Sequence, residues 1–169
     1  MAKEKLLILN SRQIEQKIVR MAHHIYENHY KAKSIILVGI ADRGKVLAQR
    51  IADEMEAISP IEVTVHSIAI DKDKPLNSEV NFSGEFGGLK KQVVVLVDDV
   101  LNSGRTMMYA IKYLLDAEPK IVATAILIDR FYRRFPIHAD YVGLTLSTNL
   151  KEHVQVSLTK GKEAVYLED

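Results

Sequence analysis

The chain has 169 residues, 47% hydrophobic and 27% charged, which suits one domain spanning 1–169 with a sizeable core. Its 23 Lys and Arg against 22 Asp and Glu leave a net charge of +1, so bulk electrostatics gives no argument for nucleic-acid binding. Cysteine is absent, which excludes disulfides and thiol catalysis, and no apolar run approaches the length of a bilayer span. The start, MAKEKLLILNSRQIEQ, lacks the long apolar region of a signal peptide, and the expected setting is the cytoplasm with no membrane partner.

In chain order, a helix is expected from near Asn10, with Gln13 three residues on as capping partner. Ile14, Ile18, Met21 and Ile25 recur at helical spacing behind it. SIILVGI, Ser34 to Ile40, is short, continuous and β-branched, which predicts a buried strand. It breaks at ADRG, after which Leu47, Ile51, Met55 and Ile58 mark a helix closed by Pro60. Ile61 to Ile70 reads as the next strand. The segment 71–91 is polar, holds Pro75, Gly84, Gly87 and Gly88, and has no sustained period, which predicts a long functional or disordered loop. A strand at Gln92 to Val97 precedes a helix expected to turn Met108, Ile111 and Leu115 inward, and Ile121 to Ile128 is a further buried strand. From Ala139 on, short pieces such as HVQVSL and AVYL alternate. Apolar strands alternating with helices predict an α/β fold with a mainly parallel central sheet covered on both faces.

In such sheets ligands sit at the carboxyl ends of the strands, and two loops there carry chemistry. Asn102, Ser103, Gly104, Arg105 and Thr106 lead from strand to helix. Small residues let backbone N–H groups approach an anion at the positive helix start, and the two hydroxyls add donors. This is a phosphate cradle without Walker A spacing. The preceding Asp98 and Asp99 would repel that phosphate; they suit sugar hydroxyls, or a divalent cation held through water, or a plain turn cap. Phosphate and diol side by side describe a ribose 5-phosphate. The second loop, Ala41, Asp42, Arg43 and Gly44, places Arg43 near a helix start, either to meet a second anion or as an ordinary turn.

VVLVDDVLNSGRT resembles the PRPP-binding motif of the type I phosphoribosyltransferases. The resemblance implies that Asp98 and Asp99 hold the ribose hydroxyls of PRPP, with Asp98 reaching Mg²⁺ through water. It implies that Asn102 to Thr106 bind the 5-phosphate and that Ala41 to Gly44 form the pyrophosphate loop, which in this family often contains a non-proline cis peptide. Asp98, Asp99 and Arg43 are then the candidate catalytic residues. Segment 71–91 matches the family's mobile loop, with Lys72 or Lys74 where an arginine is usual, and a small C-terminal hood would cover about 129–169, with Asp129, Arg130 and Val142 beside the base.

Over nearly its whole length the chain is similar to the PyrR family, pyrimidine operon attenuators that also have uracil phosphoribosyltransferase activity. LLILNSRQIEQKIVRMAHHI, ILVGIADRG and ILIDRFYRRFPIHADYVG carry that similarity. Purine members usually have Asp at the place of Asn102 and Lys at that of Asp129, so uracil is the expected base, with UMP and pyrophosphate as products. Asp129 reads equally well as a strand-end ion pair with Arg130 or Arg133. Two alternatives stand beside the uracil enzyme: a nucleotide-sensing RNA-binding regulator with little catalysis, using Arg20, His23, Arg133 and Arg134, and a purine-salvage transferase. The family commonly forms homodimers or higher homo-oligomers.

Overall fold

The computed structural model describes residues 5–71, 73–74 and 79–168. Strand β1 (Lys5–Asn10) runs directly into helix α1 (Ser11–His29). The expected capping box forms there: the Asn10 side chain accepts from the Gln13 N–H and the Gln13 side chain accepts from the Asn10 N–H. Strands β2 (Ser34–Ile40) and β3 (Glu62–Ala69) flank helix α2 (Ala41–Ile58). After the short strand β4 (Asn81–Phe82) come β5 (Val93–Leu101), helix α3 (Arg105–Leu115) and β6 (Ile121–Asp129). Strands β7 (Tyr141–Thr145), β8 (His153–Ser157) and β9 (Ala164–Glu168) complete the described chain.

The main sheet has the order β4-β3-β2-β5-β6-β7, parallel throughout except for β4. Both faces are covered, and β5 shows how. Val93, Val95 and Val97 pack with Ile14, Ile18, Leu47 and Ile51 of α1 and α2, while Val94 and Leu96 pack with Met107, Ala110 and Leu114 of α3. That period of two explains why the strand reads as an unbroken apolar run. The chain passes from β2 outward to β3, then returns to lay β5 on the other side of β2. The strand order therefore reverses between β2 and β5, and in open α/β sheets ligands bind at the carboxyl ends of the strands at such a point.

Several elements differ from expectation. Helix α3 buries Met107, Ala110 and Leu114, while Leu115 is 55% exposed. The apolar spacing is right and its phase is one residue late, because Gly104 starts the helix and Ala110, small and easily overlooked, faces the sheet. Within segment 71–91, the described residues 79–91 hold more structure than a bare loop. Asn81 and Phe82 pair antiparallel with Ala69 and Ile68, and a 3-10 turn at Phe86–Leu89 buries Leu89. Phe82 and Phe86 both lie against Tyr113. Lys72 and residues 75–78 of that segment lie outside the described residues.

The hood also has a different make-up. Its three-stranded antiparallel sheet has the order β1-β9-β8, so the N-terminal strand belongs to it. Strand β7 is instead the edge of the main sheet. Val142, expected in the hood beside the base, sits opposite Ile126 in that sheet and packs on the core, with its carbonyl accepting from Arg20.

At the end of α1, the His29 Nε2 lies 2.9 Å from the Tyr141 hydroxyl, which also accepts from the Asn28 side chain. Burial lowers the His29 pKa, with the nearby Asp140 charge opposing. The folded state therefore binds fewer protons here than the unfolded chain, and stability rises with pH. This contribution is present above the ordinary histidine value of about 6.5 and fades as pH falls below it. His66, lowered by its own burial, acts with the same sign. The melting temperature of His29→Gln should depend less steeply on pH between about 7 and 5 than that of the parent; identical slopes would remove His29 from this account.

Candidate active site

The crevice is walled by the loop after β2 and the loop after β5. On the β2 side the backbone must turn tightly: a Cβ on Gly39 would stand 2.4 Å from backbone atoms of Gly44 and Lys45, and one on Gly44 would stand 2.8 Å from the Val97 carbonyl. Two glycines thus let α2 start against β2 and β5. No cis peptide is found among the described residues; the strain in the expected pyrophosphate loop lies instead at Ala41, whose φ is 53°. A left-handed alanine costs about 1 kcal/mol. Asp42 is exposed in the first turn of α2, where the helix dipole favours its charge.

Arg43 turns away from Asp42. Its Nε lies 3.2 Å from Asp99 Oδ2 and its Nη1 is 3.4 Å from the Val156 carbonyl on β8. The guanidinium thus joins the β2 loop, the main sheet and the hood while 57% of the side chain stays exposed. The Asp99 contact is an ion pair without hydrogen-bond geometry, since Oδ2 is buried and accepts no hydrogen bond.

The two aspartates share an expected role, but strand alternation separates them. Asp98 lines the pocket of the following loop, and its Oδ1 accepts from the Asp99 N–H. Asp99 is 7% exposed and faces Arg43. Adjacent carboxylates are tolerable here because they point to different surroundings and one is neutralised.

That pocket is lined by Asp98 and by residues 100–107, so Asn102, Ser103, Gly104, Arg105 and Thr106 are brought together as expected. Gly104 has φ 86°, and a Cβ there would stand 2.2 Å from Ile137 Cγ2. The Ser103 hydroxyl accepts from the Arg105 N–H, and the Ser103 carbonyl accepts from the N–H groups of Arg134 and Phe135. Beyond the Arg105 N–H, which Ser103 accepts, the next N–H groups of α3 have no intrahelical acceptor, the arrangement that suits an anion.

Two arginines from the segment after β6 brace this loop from behind. Arg133 pairs with Asp129 at 2.6 Å and donates to the carbonyls of Ile137 and Asn102. Asp129 also accepts from the Phe131 N–H, so it closes the strand end, as the ion-pair reading has it. Arg130 donates to the Asn102 side chain, to Thr148, and to the carbonyls of Asn149 and Glu152. It ties the phosphate loop to the chain entering β8. Sequence alone marked Arg130 as a hood residue but gave no sign of this span, since its partners lie 18 to 28 positions away.

The expected RNA-contacting residues divide. Arg20, which is exposed, donates to the Val142 and Gly143 carbonyls, and the half-buried Arg133 makes the contacts given above. His23 and Arg134 are exposed, with Arg134 stacked near Tyr132. Arg133→Ala should lower the unfolding free energy by about 2 kcal/mol, because it strands the largely buried Asp129. Urea denaturation reads this directly; a loss under about 0.5 kcal/mol, the ordinary surface value, would contradict the bracing role.

A helix start of small and hydroxyl-bearing residues, a carboxylate beside it and an arginine on the loop after the neighbouring strand have the chemistry that a phosphorylated sugar needs. The comparisons agree. The phosphoribosyl transferase domain matches residues 7–160. The chain is 39% identical to the bifunctional protein PyrR of Alkaliphilus metalliredigens strain QYMF, over 98% of this chain and 96% of that one. It is 38% identical to the bifunctional protein PyrR of Streptomyces coelicolor, over 95% of this chain and 88% of that one. This chain belongs to the phosphoribosyltransferase family, within its PyrR branch. Among solved structures, the hypoxanthine phosphoribosyltransferase of Trypanosoma cruzi superposes with a TM-score of 0.80 at 14% identity, over 95% of this chain and 94% of that one. That of Staphylococcus aureus gives 0.76 at 15% identity, over 95% and 90%. At such identities the likeness shows the fold alone.

Proposed function

We propose that this protein transfers the 5-phosphoribosyl group of PRPP to uracil, giving UMP and pyrophosphate. The observation that carries this reading is the pocket in which Asp98 meets the anion-binding loop 102–106, with the exposed Arg43 across the β2–β5 crevice. In the reaction the bond from ribose C1 to the pyrophosphate oxygen breaks, and a bond from C1 to a ring nitrogen of uracil forms as that nitrogen gives up its proton. The loop N–H groups hold the 5-phosphate and Asp98 accepts from a ribose hydroxyl. Arg43, held by Asp99, offers its open face to the departing pyrophosphate. No side chain needs to form a covalent intermediate.

Mg²⁺ suits this site as an ion carried by the substrate. Asp98, which lines the pocket, would reach such an ion through water. When bound, the ion offsets charge on the pyrophosphate. The test is pyrophosphate release from PRPP with Mg²⁺ across uracil, hypoxanthine, guanine, adenine and orotate. Release with uracil alone supports the reading; release with a purine instead assigns the chain to purine salvage.

A second activity, RNA-dependent regulation, is favoured by the word bifunctional in the relatives' names. In this chain its contacts would be Arg20, His23, Arg133 and Arg134, of which Arg20, His23 and Arg134 are exposed. A salt-sensitive complex with a pyrimidine leader RNA, weakened by Arg134→Ala, supports it; equally weak binding to any RNA does not. The setting expected for both activities is a cytoplasmic homo-oligomer, checked by sedimentation of the purified chain.

A further inference from the structure

Asn102 is exposed, lines the pocket, and is gripped at two points. Arg133 Nη1 donates to its backbone carbonyl at 3.1 Å, and Arg130 Nη1 donates to its side-chain Oδ1 at 2.8 Å. A guanidinium has only donors, so the amide atom facing Arg130 must be the oxygen. The usual uncertainty over which way an asparagine points is thereby removed. Among the described residues the Nδ2 group has no partner of its own.

We propose that Arg130 is a positioning residue that locks the Asn102 amide so that its NH₂ faces the ligand. An unrestrained amide can flip and serve as donor or acceptor; this one serves as donor alone. It therefore takes an acceptor oxygen of the nucleotide, either on the phosphate or as a carbonyl of the base. It cannot withdraw a proton, and a carboxylate in its place would be held by Arg130 as an ion pair. The remaining Arg130 contacts, with Thr148, Asn149 and Glu152, couple this donor to the chain entering β8, so the orientation depends on a closed hood.

The inference rests on the nucleotide-site reading above, and the test separates the two. Binding of UMP and of ribose 5-phosphate is measured by calorimetry for the parent, Asn102→Asp, Asn102→Leu, Arg130→Met and the Asn102→Leu/Arg130→Met pair. Asn102→Asp keeps the Arg130 contact, exchanges the donor for a carboxylate oxygen and adds a charge that opposes the phosphate, so it is read beside the uncharged Asn102→Leu; in both, UMP should bind about tenfold more weakly or worse. Arg130→Met should give a similar loss although it touches no ligand, and should add nothing in the Asn102→Leu background, since the two residues act as one unit. If ribose 5-phosphate weakens in step, the acceptor is the phosphate; if only UMP weakens, it is the base carbonyl. Parent-like affinity in Asn102→Asp overturns the proposal, and so do losses that multiply in the double variant, which would mark Arg130 as a brace for the hood alone. A parent that binds UMP in this manner yet shows no transfer to uracil ends the enzyme reading and leaves the donor assignment standing. A folded parent that binds neither ligand overturns both.

Discussion

The Asp98→Asn/Asp99→Asn double variant should lose PRPP-dependent pyrophosphate release by a factor of about a thousand or more while remaining folded. In the proposed reaction Asp98, which lines the pocket of loop 102–106, would lose the charge with which it accepts a sugar hydroxyl. Charge-assisted hydrogen bonds are worth about 1.5–3 kcal/mol each. Asp99 acts differently. It is 7% exposed, and its Oδ2 lies 3.2 Å from Arg43 Nε. Neutralising it releases the guanidinium from its anchor, so the cation is no longer held where the pyrophosphate would depart. The single variants should therefore separate: Asp98→Asn raising the KM for PRPP, Asp99→Asn lowering kcat. Steady-state kinetics with circular dichroism as a folding control settles it. Turnover of the double variant within about fivefold of the parent would end the mechanism.

The second large effect is on the fold. Gly39→Ala should cost about 3 kcal/mol or more, because its new methyl would stand 2.4 Å from three backbone atoms of Gly44 and Lys45. Backbone at a strand–helix junction cannot move aside as a side chain can, so β2 and α2 must separate. That separation opens the crevice wall from which Arg43 projects, and activity should fall with stability. Gly87→Ala and Gly88→Ala are the controls: nothing lies within 4 Å of either added methyl, and changes should stay within about 0.5 kcal/mol. Urea midpoints for the three variants decide the matter. A Gly39→Ala protein as stable as the Gly87→Ala control would show that the junction has slack.

These two predictions mark what sequence could and could not reveal. Strand β2 was legible to the residue, because SIILVGI is buried on both faces and bounded by a turn. The turn 102–106 was legible as a strand-to-helix junction because it is rich in small and hydroxyl-bearing residues between two apolar runs. The capping box was legible because Asn10 and Gln13 are three residues apart. What sequence concealed depends on contacts between distant segments. LLILN was not read as a strand, since its partner is β9 at the far end of the chain. The phase of α3 was missed because alanine gives little hydrophobic signal. Asp98 and Asp99 look like one unit as neighbours in sequence, and only the strand's alternation shows that each answers to a different wall of the crevice. Arg20 and Arg133 stand out by their charge, but their contacts with the carbonyls of Val142 and Ile137 and with Asp129 depend on segments that only the fold brings near.

The pairing of Lys5–Asn10 with Ala164–Glu168 has a consequence for how the protein is made. A ribosome delivers β1 some 150 residues before its partner. Until then β1 waits with its exposed leucines, Leu6 and Leu7, and without a neighbour. The main sheet, whose strands are joined by shorter connections, has the entropic advantage and closes earlier. The hood, and with it the Val156 carbonyl that meets Arg43, is the last part to assemble. A growing chain thus holds the elements of the phosphate loop before the site is complete, and ligand binding becomes a report that synthesis has reached the ninth strand.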